Sequence, residues 1–164
     1  MAKGDRKNLK QLVGICGIYC GTCPMYLAPQ YHGIEYLKES SKKTGLPVEE
    51  IRCGGCLSDQ LYSSCKECRH GFRECANEKH VTWCFQCHDF PCHRLHSFLN
   101  IHIVEGISHH AKLIEELQYM REHGIEDWLE KQDRASRCSK CGKVLYWFDR
   151  KCPDCQIPVQ RVFS

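Results

Sequence analysis

Apolar residues recur at intervals of three or four positions in the second half of the chain, the spacing typical of one face of an α-helix. They are Ile107, Ala111, Ile114, Leu117 and Met120. Gly124 follows and is predicted to end the helix, because glycine commonly terminates helices. A second short helix is predicted over residues 125–132, with Trp128 and Leu129 buried. We interpret both helices as an amphipathic connector packed on the rest of the protein.

The first half of the chain has a weaker helical pattern. One helix is predicted from about Pro29 to Thr44, with Ile34 and Leu37 among its apolar positions, and the sequence "TGLP" is predicted to end it. A helical turn is predicted over residues 47–51, directly before "CGGC". The rest of this half is predicted to be dominated by loops.

Cysteine accounts for 15 of the 164 residues, an unusually high fraction. Such a density is typical of a disulfide framework in a secreted protein and of metal sites in an intracellular one. The sequence "MAKGDRKNLKQLVGICG" lacks the apolar core of a signal peptide, and no apolar run reaches the roughly 18 residues needed to cross a membrane. We therefore expect a soluble, cytoplasmic protein with reduced, metal-binding thiols and no membrane contact.

The cysteines include six C-x2-C pairs. A C-x2-C turn lets two thiolates bind one metal while backbone amides stabilise their charge, so all fifteen cysteines are candidate metal ligands. Eleven lie in the first part of the chain: Cys16, Cys20, Cys23, Cys53, Cys56, Cys65, Cys68, Cys75, Cys84, Cys87 and Cys92. The other four are Cys138, Cys141, Cys152 and Cys155.

The last four cysteines have the spacing C-x2-C-x10-C-x2-C, which is typical of a zinc ribbon. Gly142 follows the first pair, and Pro153 lies inside the second. The apolar and aromatic sequence between them, "KVLYWFD", is predicted to form a β-hairpin. Four thiolates with no open position favour zinc, which would contribute most of the stability of so small a unit.

The sequence "CGIYCGTCP" at residues 16–24 has the spacing C-x3-C-x2-C, which radical S-adenosylmethionine enzymes use to hold a 4Fe-4S cluster. A barrel enzyme of that class needs roughly 200 residues or more, so this chain is too short to be one. We expect Cys16, Cys20 and Cys23 to converge on one metal centre, with a fourth ligand from residues 84–93.

The order of these motifs resembles a known family. The segments "CGIYCGTCPMYLA", "IRCGGCLSD" and "CKECRHGFRECANEKHVTWCFQCHDFPCHRL" are similar to the domain-of-unknown-function family 3795, a cysteine-rich group found mainly in bacteria and archaea. The resemblance covers about Val13 to Leu95 and includes eleven cysteines. It implies metal binding, and no catalytic residue is carried over from it. The segment "HGIEDWLEKQ" followed by a ribbon resembles an extension of longer members.

Two cofactor assignments, zinc or 4Fe-4S, are open for the N-terminal cysteines. The zinc assignment has three sites: Cys53, Cys56, Cys65 and Cys68; Cys75, Cys84, Cys87 and Cys92; and Cys16, Cys20 and Cys23 with His88 or His93. In the 4Fe-4S assignment, Cys92 or another distant thiol completes a cluster on the opening motif. A second cluster takes four more thiols, and three are left for zinc or free. Spacings looser than those of ferredoxins favour zinc.

No phosphate-binding loop, nucleophile elbow or zinc-protease motif is present, so catalysis is not predicted; His109 and His110 are expected to be exposed on the connector helix. The leading hypothesis is a metal-dependent scaffold that binds a protein partner. One alternative is an iron–sulfur electron-transfer or accessory protein of an anaerobic redox enzyme.

Nucleic acid is a further candidate partner. From residue 131 onward the chain carries eight Lys or Arg against three Asp, a net charge of +5. Lysine and arginine bind phosphates, and aromatic side chains stack on bases. The aromatic residues of the predicted hairpin are Tyr146, Trp147 and Phe148.

These patterns together predict a small, metal-stabilised α+β fold in four segments. Residues 1–12 form an N-terminal tail, and residues 13–96 form a loop-rich, cysteine-rich domain with helices. Residues 97–132 form the helical connector, and residues 133–164 form the zinc ribbon.

Overall fold

The computed structural model describes residues 6–32, 34–101, 103–104 and 106–159. This part of the chain contains the α-helices α1 (Pro24–Leu27), α2 (Ile34–Thr44), α3 (Ser63–Glu67), α4 (Phe72–Glu78), α5 (His93–Phe98), α6 (Leu113–His123) and α7 (Ile125–Ala135). Short 3-10 segments cover Arg6–Leu12, Cys20–Thr22, Val48–Glu50 and Cys84–Gln86, and a π-turn covers Ala28–His32. Two short antiparallel strands are β1 (Ile103–Val104) and β2 (Ile107–Ser108). The described chain is therefore mainly helical with little strand, and the predicted α+β class is not established.

The predicted helix of the first half begins later than expected. The α2 helix starts at Ile34, and residues 28–32 form the π-turn before it. Leu37 is buried, whereas Ile34 is 48% exposed and lies off the packed face. The predicted helical turn before "CGGC" is present at Val48–Glu50. The small core beside α2 contains Ala28, Leu37 and Ile51.

The connector differs from the prediction at its N-terminal end. The α6 helix begins at Leu113, whereas Ile107 lies in β2 and pairs with Val104 of β1. Gly106 has a φ of +77°, a conformation that glycine adopts readily, and it turns the chain between the two strands. Ile107 therefore fits the apolar spacing of the predicted helix, although it lies in a strand that precedes the helix.

Gly124 separates the two connector helices, as predicted. Its φ is +90°, and its amide donates to the carbonyl of Met120. Trp128 and Leu129 of α7 are buried, and Trp128 Nε1 donates to Glu116 Oε2 of α6 at 2.5 Å. No helix in the described ranges combines the length and the apolar character needed to cross a bilayer.

One hydrophobic core holds the connector against the cysteine-rich region. The cysteine-rich region contributes Val13, Ile15, Phe72, Ala76 and Leu95, and the connector contributes Phe98, Leu113, Leu117, Met120, Ile125, Trp128 and Leu129. Leu117 is fully buried and lies against the opening motif. The contact is close, since a Cβ built on Gly17 would lie only 2.7 Å from Leu117 Cγ. The cysteine-rich segment and the connector thus share one core. The division of the chain into four segments stays a prediction.

The ribbon forms with less strand than expected. Its two isolated β-bridges pair Arg137 with Val144 and Lys151 with Pro158. The hairpin strands predicted for "KVLYWFD" are not formed in this described segment, because residues 146–149 turn. The Asp149 carboxylate accepts the Tyr146 amide at 2.8 Å, and the Asp149 amide donates to the Tyr146 carbonyl at 3.1 Å.

The ribbon packs on the opening cysteine motif. Val144 and Tyr146 form a small core with Leu27 of α1. The backbone amide of Trp147 donates to the carbonyl of Thr22, inside the motif, at 3.2 Å. The last cysteine cluster is therefore attached directly to the first.

Candidate metal centres

The four ribbon thiols come together around one point. Their Sγ atoms all lie within 4.8 Å of one another. The Sγ atoms of Cys138 and Cys155 are 3.4 Å apart, and those of Cys141 and Cys152 are 3.5 Å apart. Tetrahedral zinc with Zn–S bonds of about 2.3 Å requires sulfurs about 3.8 Å apart. None of the fifteen cysteines, which all lie in the described ranges, forms a disulfide, and this cluster can hold a metal ion.

Two similar turns present the ribbon thiols. The amide of Gly142 donates to the carbonyl of Cys138, and the amide of Gln156 donates to that of Cys152, each at 2.9 Å. Gly142 and Gln156 both have positive φ, so the chain reverses after each pair. The amide of Cys141 makes the largest contribution to lowering the pKa of Cys138 to about 6. Cys138 is therefore a thiolate at neutral pH, the form that binds metal.

A second set of four thiols lines a cavity of about 380 Å³ in the cysteine-rich region. The set consists of Cys75, Cys84, Cys87 and Cys92, one of the groups predicted from the sequence. Cys75 lies on α4, and Cys92 directly precedes α5. Burial, and then the charge of Cys92, raises the pKa of Cys84 to about 12. These sulfurs are more widely spaced than those of the ribbon, because they do not all lie within 4.8 Å of one another.

The histidines proposed as ligands lie away from the opening motif. His88 forms a compact group with Cys87 and Asp89, but its side chain is 83% exposed and its Nε2 lies 3.0 Å from Asp89 Oδ1. His93 lines the cavity of the second thiol set. Neither histidine is among the described residues that line the cleft around the opening motif.

The other seven N-terminal thiols line one cleft of about 710 Å³. They are Cys16, Cys20, Cys23, Cys53, Cys56, Cys65 and Cys68. The zinc assignment from the sequence divided these thiols between two sites. The structure places both groups on the walls of the same cleft.

A glycine brings together the two loops that carry these thiols. Gly55 lies between Cys53 and Cys56 with a φ of +110°, and a Cβ there would collide with the carbonyl of Gln11. The amide of Leu57 also donates to the Gln11 carbonyl, at 3.3 Å. The "CGGC" turn therefore lies directly against the chain that leads into the opening motif.

Backbone amides point at five of the sulfurs in the cleft. The donor and acceptor pairs are Ile18 to Cys16, Cys56 to Cys20, Met25 and Tyr26 to Cys23, Gly55 to Cys53, and Ile15 to Cys56. Such donors stabilise metal-bound thiolates. Burial acts in the opposite direction and raises the pKa of Cys16 and Cys20 well above the usual thiol value. A metal ion bound here would act against this effect, because its positive charge stabilises a thiolate.

The three opening sulfurs are not grouped as closely as those of the ribbon. No group of three possible ligands within 4.8 Å contains them, among the residues that the structure describes. Burial is the main cause of the raised pKa of Cys16, and among thiols Cys56 raises it most, followed by Cys84 and Cys68. The expected donor stretch, residues 84–93, thus supplies one neighbour of Cys16, while residues 53–68 supply more of the surrounding thiols.

Sequence reasoning missed a cation and a buried histidine on the cleft wall. Arg73 of α4 donates from Nη2 to the Cys56 carbonyl at 2.9 Å, and Nη2 lies 3.6 Å from Cys56 Sγ. His110, expected on the helix surface, is 1% exposed because it precedes α6 and stacks on Phe98 with ring centroids 4.1 Å apart. Nothing in the residue spacing marks Arg73, since its partner is seventeen positions away.

The ribbon aromatics are used for packing. Tyr146 is 8% exposed and lies against Tyr36, with ring centroids 5.5 Å apart. Trp147 meets His109 edge-on at 4.2 Å, and Phe148 stacks on Tyr146 at 5.4 Å. These contacts weaken the argument that the hairpin offers free rings for base stacking.

A family model of known proteins matches residues 12–97, more than half of the chain. Its description is "Protein of unknown function (DUF3795)". The match contains all eleven cysteines that line the two cavities. No curated protein and no solved structure matches the chain. The chain, which carries a four-cysteine ribbon after the matched region, belongs to the DUF3795 family of proteins of unknown function.

Proposed function

We propose that this protein is an iron–sulfur protein with a structural zinc ribbon, and that it transfers electrons as a partner or accessory of a redox enzyme. The supporting observation is a difference in sulfur spacing within one chain. The four ribbon sulfurs lie within 4.8 Å of one another. The eleven other cysteines, all in the described ranges, surround two cavities, and no three of their sulfurs are that close together.

Sulfur spacing distinguishes the two cofactors because they bind thiolates differently. One zinc ion binds all four thiolates, which places the sulfurs about 3.8 Å apart. In a 4Fe-4S cluster each cysteine binds a different iron, so the sulfurs stand further apart around a larger cofactor. Thiols on the walls of cavities of about 380 and 710 Å³ fit the second arrangement better.

The position of the two cavities supports electron transfer. Phe72 is buried and lines both cavities, so clusters in them would be separated by little more than one side chain. The charge of Cys84, in the smaller cavity, also acts on Cys16 in the larger one. Neighbouring clusters in one small domain are suited to passing electrons from one to the next.

The metal content of anoxically purified protein tests this function. Without added metal, the protein should be brown and contain iron and acid-labile sulfide in equal amounts, with about one zinc per chain. A colourless protein that contains several zinc ions and no sulfide would overturn the proposal in favour of a zinc scaffold.

A pair of matched variants assigns each metal to its site. Cys84→Ser should reduce iron and visible absorption while zinc stays, because it lines the smaller cavity. Cys141→Ser should remove zinc while iron stays, because it belongs to the ribbon cluster. Loss of zinc in both variants would contradict the assignment.

A further inference from the structure

Arg73 lies against one of the thiols that line the larger cleft. Its Nη2 donates to the Cys56 carbonyl at 2.9 Å and lies 3.6 Å from Cys56 Sγ. A sulfur atom is larger than an oxygen atom, so the second distance still allows an N–H···S hydrogen bond. The guanidinium therefore contacts both the backbone and the sulfur of Cys56, on the wall of the cleft.

The α4 helix holds Arg73 in this position. Arg73 is the second residue of α4. Phe72 and Ala76 of the same helix are buried in the core that the cysteine-rich region shares with the connector. Because both of these side chains are fixed by packing, the backbone that carries Arg73 cannot move far from Cys56.

The positive charge of Arg73 has no carboxylate partner in the part of the chain that the structure describes. The ion pairs formed there do not include it. Its side chain is half-buried, and its Nε is buried without a hydrogen-bond acceptor among the described residues. Glu116, also on the cleft wall, accepts from Trp128 and Gln132 instead. A partly buried cation is costly unless an anion lies near it, so this position suits a cofactor bound by negative thiolates.

We propose that Arg73 raises the reduction potential of an iron–sulfur cluster that Cys56 helps to hold. The inference rests on the proposed iron–sulfur function and adds to it a residue that sets the potential of one site. When one electron enters, the cluster core passes from [4Fe-4S]²⁺ to [4Fe-4S]⁺, and the site gains one negative charge. The charge of Arg73 stabilises the reduced form more than the oxidised form, and an N–H donor to a ligand sulfur acts in the same direction.

Arg69 provides a matched control on the same cleft. It also lines the cleft, but its side chain is 78% exposed and its Nε donates to Glu67 Oε2 at 3.0 Å. Water and dissolved ions screen an exposed charge, so Arg69 should act only weakly on a cofactor. Removal of the Arg69 charge therefore tests for a general effect of positive charge around the cleft.

A redox titration of the full-length, anoxically purified protein, followed by EPR, measures the potential of each cluster. A redox couple that persists in Cys84→Ser belongs to the larger cleft, because Cys84 lines the smaller cavity. Arg73→Gln should lower the equilibrium constant for reduction of this couple about tenfold, the effect of a hydrogen bond from a charged group. For one electron that change is a decrease of about 59 mV. Arg69→Gln should lower the potential much less.

Arg73→Lys separates the charge from the hydrogen bonds. Lysine keeps the positive charge but lacks the rigid fork of donors that a guanidinium has. Arg73→Lys should therefore lower the potential by a smaller amount than Arg73→Gln. Because salt screens a partly buried charge less than an exposed one, the effect of Arg73→Gln should persist in about 0.5 M salt, whereas any effect of Arg69→Gln should disappear.

Each outcome bears on a different claim. Absence of iron and sulfide would overturn the proposed function, and this inference with it. Bound clusters whose potentials are unchanged in Arg73→Gln, or shifted equally in Arg69→Gln, would overturn only the inference about Arg73. A shift confined to the couple that Cys84→Ser removes would also overturn it.

Iron content is measured in every variant, because Arg73 also bonds to the Cys56 backbone. If Arg73→Gln loses iron, Arg73→Lys decides the matter, and a potential equal to that of the unmodified protein would overturn the inference. Loss of iron in both variants would show that Arg73 only holds the "CGGC" turn in place, and it too would overturn the inference.

Discussion

Gly17→Ala should destabilise the protein strongly, because two penalties coincide at this position of the opening motif. Gly17 has a φ of +95°, and forcing a residue with a Cβ into such a conformation costs about 1–3 kcal/mol. The new Cβ would lie 2.7 Å from Leu117 Cγ, and overpacking of a core costs about 1–3 kcal/mol. The expected loss in the free energy of unfolding is therefore about 2–6 kcal/mol.

Leu117→Ala separates the two penalties. Leu117 is fully buried, so this change alone should cost about 2.7–5 kcal/mol. In the double variant the shortened side chain leaves room for the new Cβ, and only the backbone strain at Gly17 persists. The double variant should therefore be about 1–3 kcal/mol more stable than the sum of the single effects indicates.

Urea unfolding of the cofactor-loaded proteins, followed by tryptophan fluorescence, measures these free energies. Gly45→Ala is the matched control, because Gly45 has a φ of +73° but open space where its Cβ would be. Its effect should add to that of Leu117→Ala. If the Gly17 and Leu117 effects also add within about 0.5 kcal/mol, α6 does not restrain the opening motif and the reasoning is refuted.

Three further predictions concern the metals. Cys152→Ser should remove about one zinc per chain and expose the chain after Arg137 to rapid proteolysis, while bound iron stays unchanged. Cys20→Ser should lower bound iron by about four per chain in elemental analysis, and unchanged iron would show that this thiol is free. Zinc uptake by the metal-free ribbon at pH 7 should release fewer than four protons in an indicator titration, because Cys138, with a pKa of about 6, has already lost its proton. Below pH 6 Cys138 is protonated, so the number of protons released per zinc should rise.

The ribbon cluster could be predicted from the sequence because its geometry is local. A C-x2-C turn fixes two thiols by itself, and only one short loop separates Cys141 from Cys152. The four thiols from Cys75 to Cys92 line one cavity, and the sequence could group them for a similar reason, since they lie close together along the chain. Their role as ligands of one metal stays a prediction. In both cases the spacing of the residues carries most of the information.

The larger cleft could not be predicted, because it depends on contacts between distant segments. Gly55 packs against the Gln11 carbonyl, and no residue pattern indicates that pairing. Arg73 reaches Cys56 only through the placement of α4. The predicted start of the connector helix was wrong for a local reason. Gly106 turns the chain at a point where the apolar spacing still indicated a helix.

The docking of the ribbon on the opening motif has a consequence for how the protein is made. Trp147 lines the larger cleft, and its backbone amide donates a hydrogen bond to the carbonyl of Thr22. The ribbon therefore closes one side of that cleft. A ribosome completes the cysteine-rich region before it makes the ribbon, and domains fold in that order during synthesis. If the proposed iron–sulfur function holds, we expect iron and sulfide to be delivered to the nascent chain while this side is open. Cells short of zinc would then accumulate chains whose iron centres stay uncovered, and oxygen would damage those chains first.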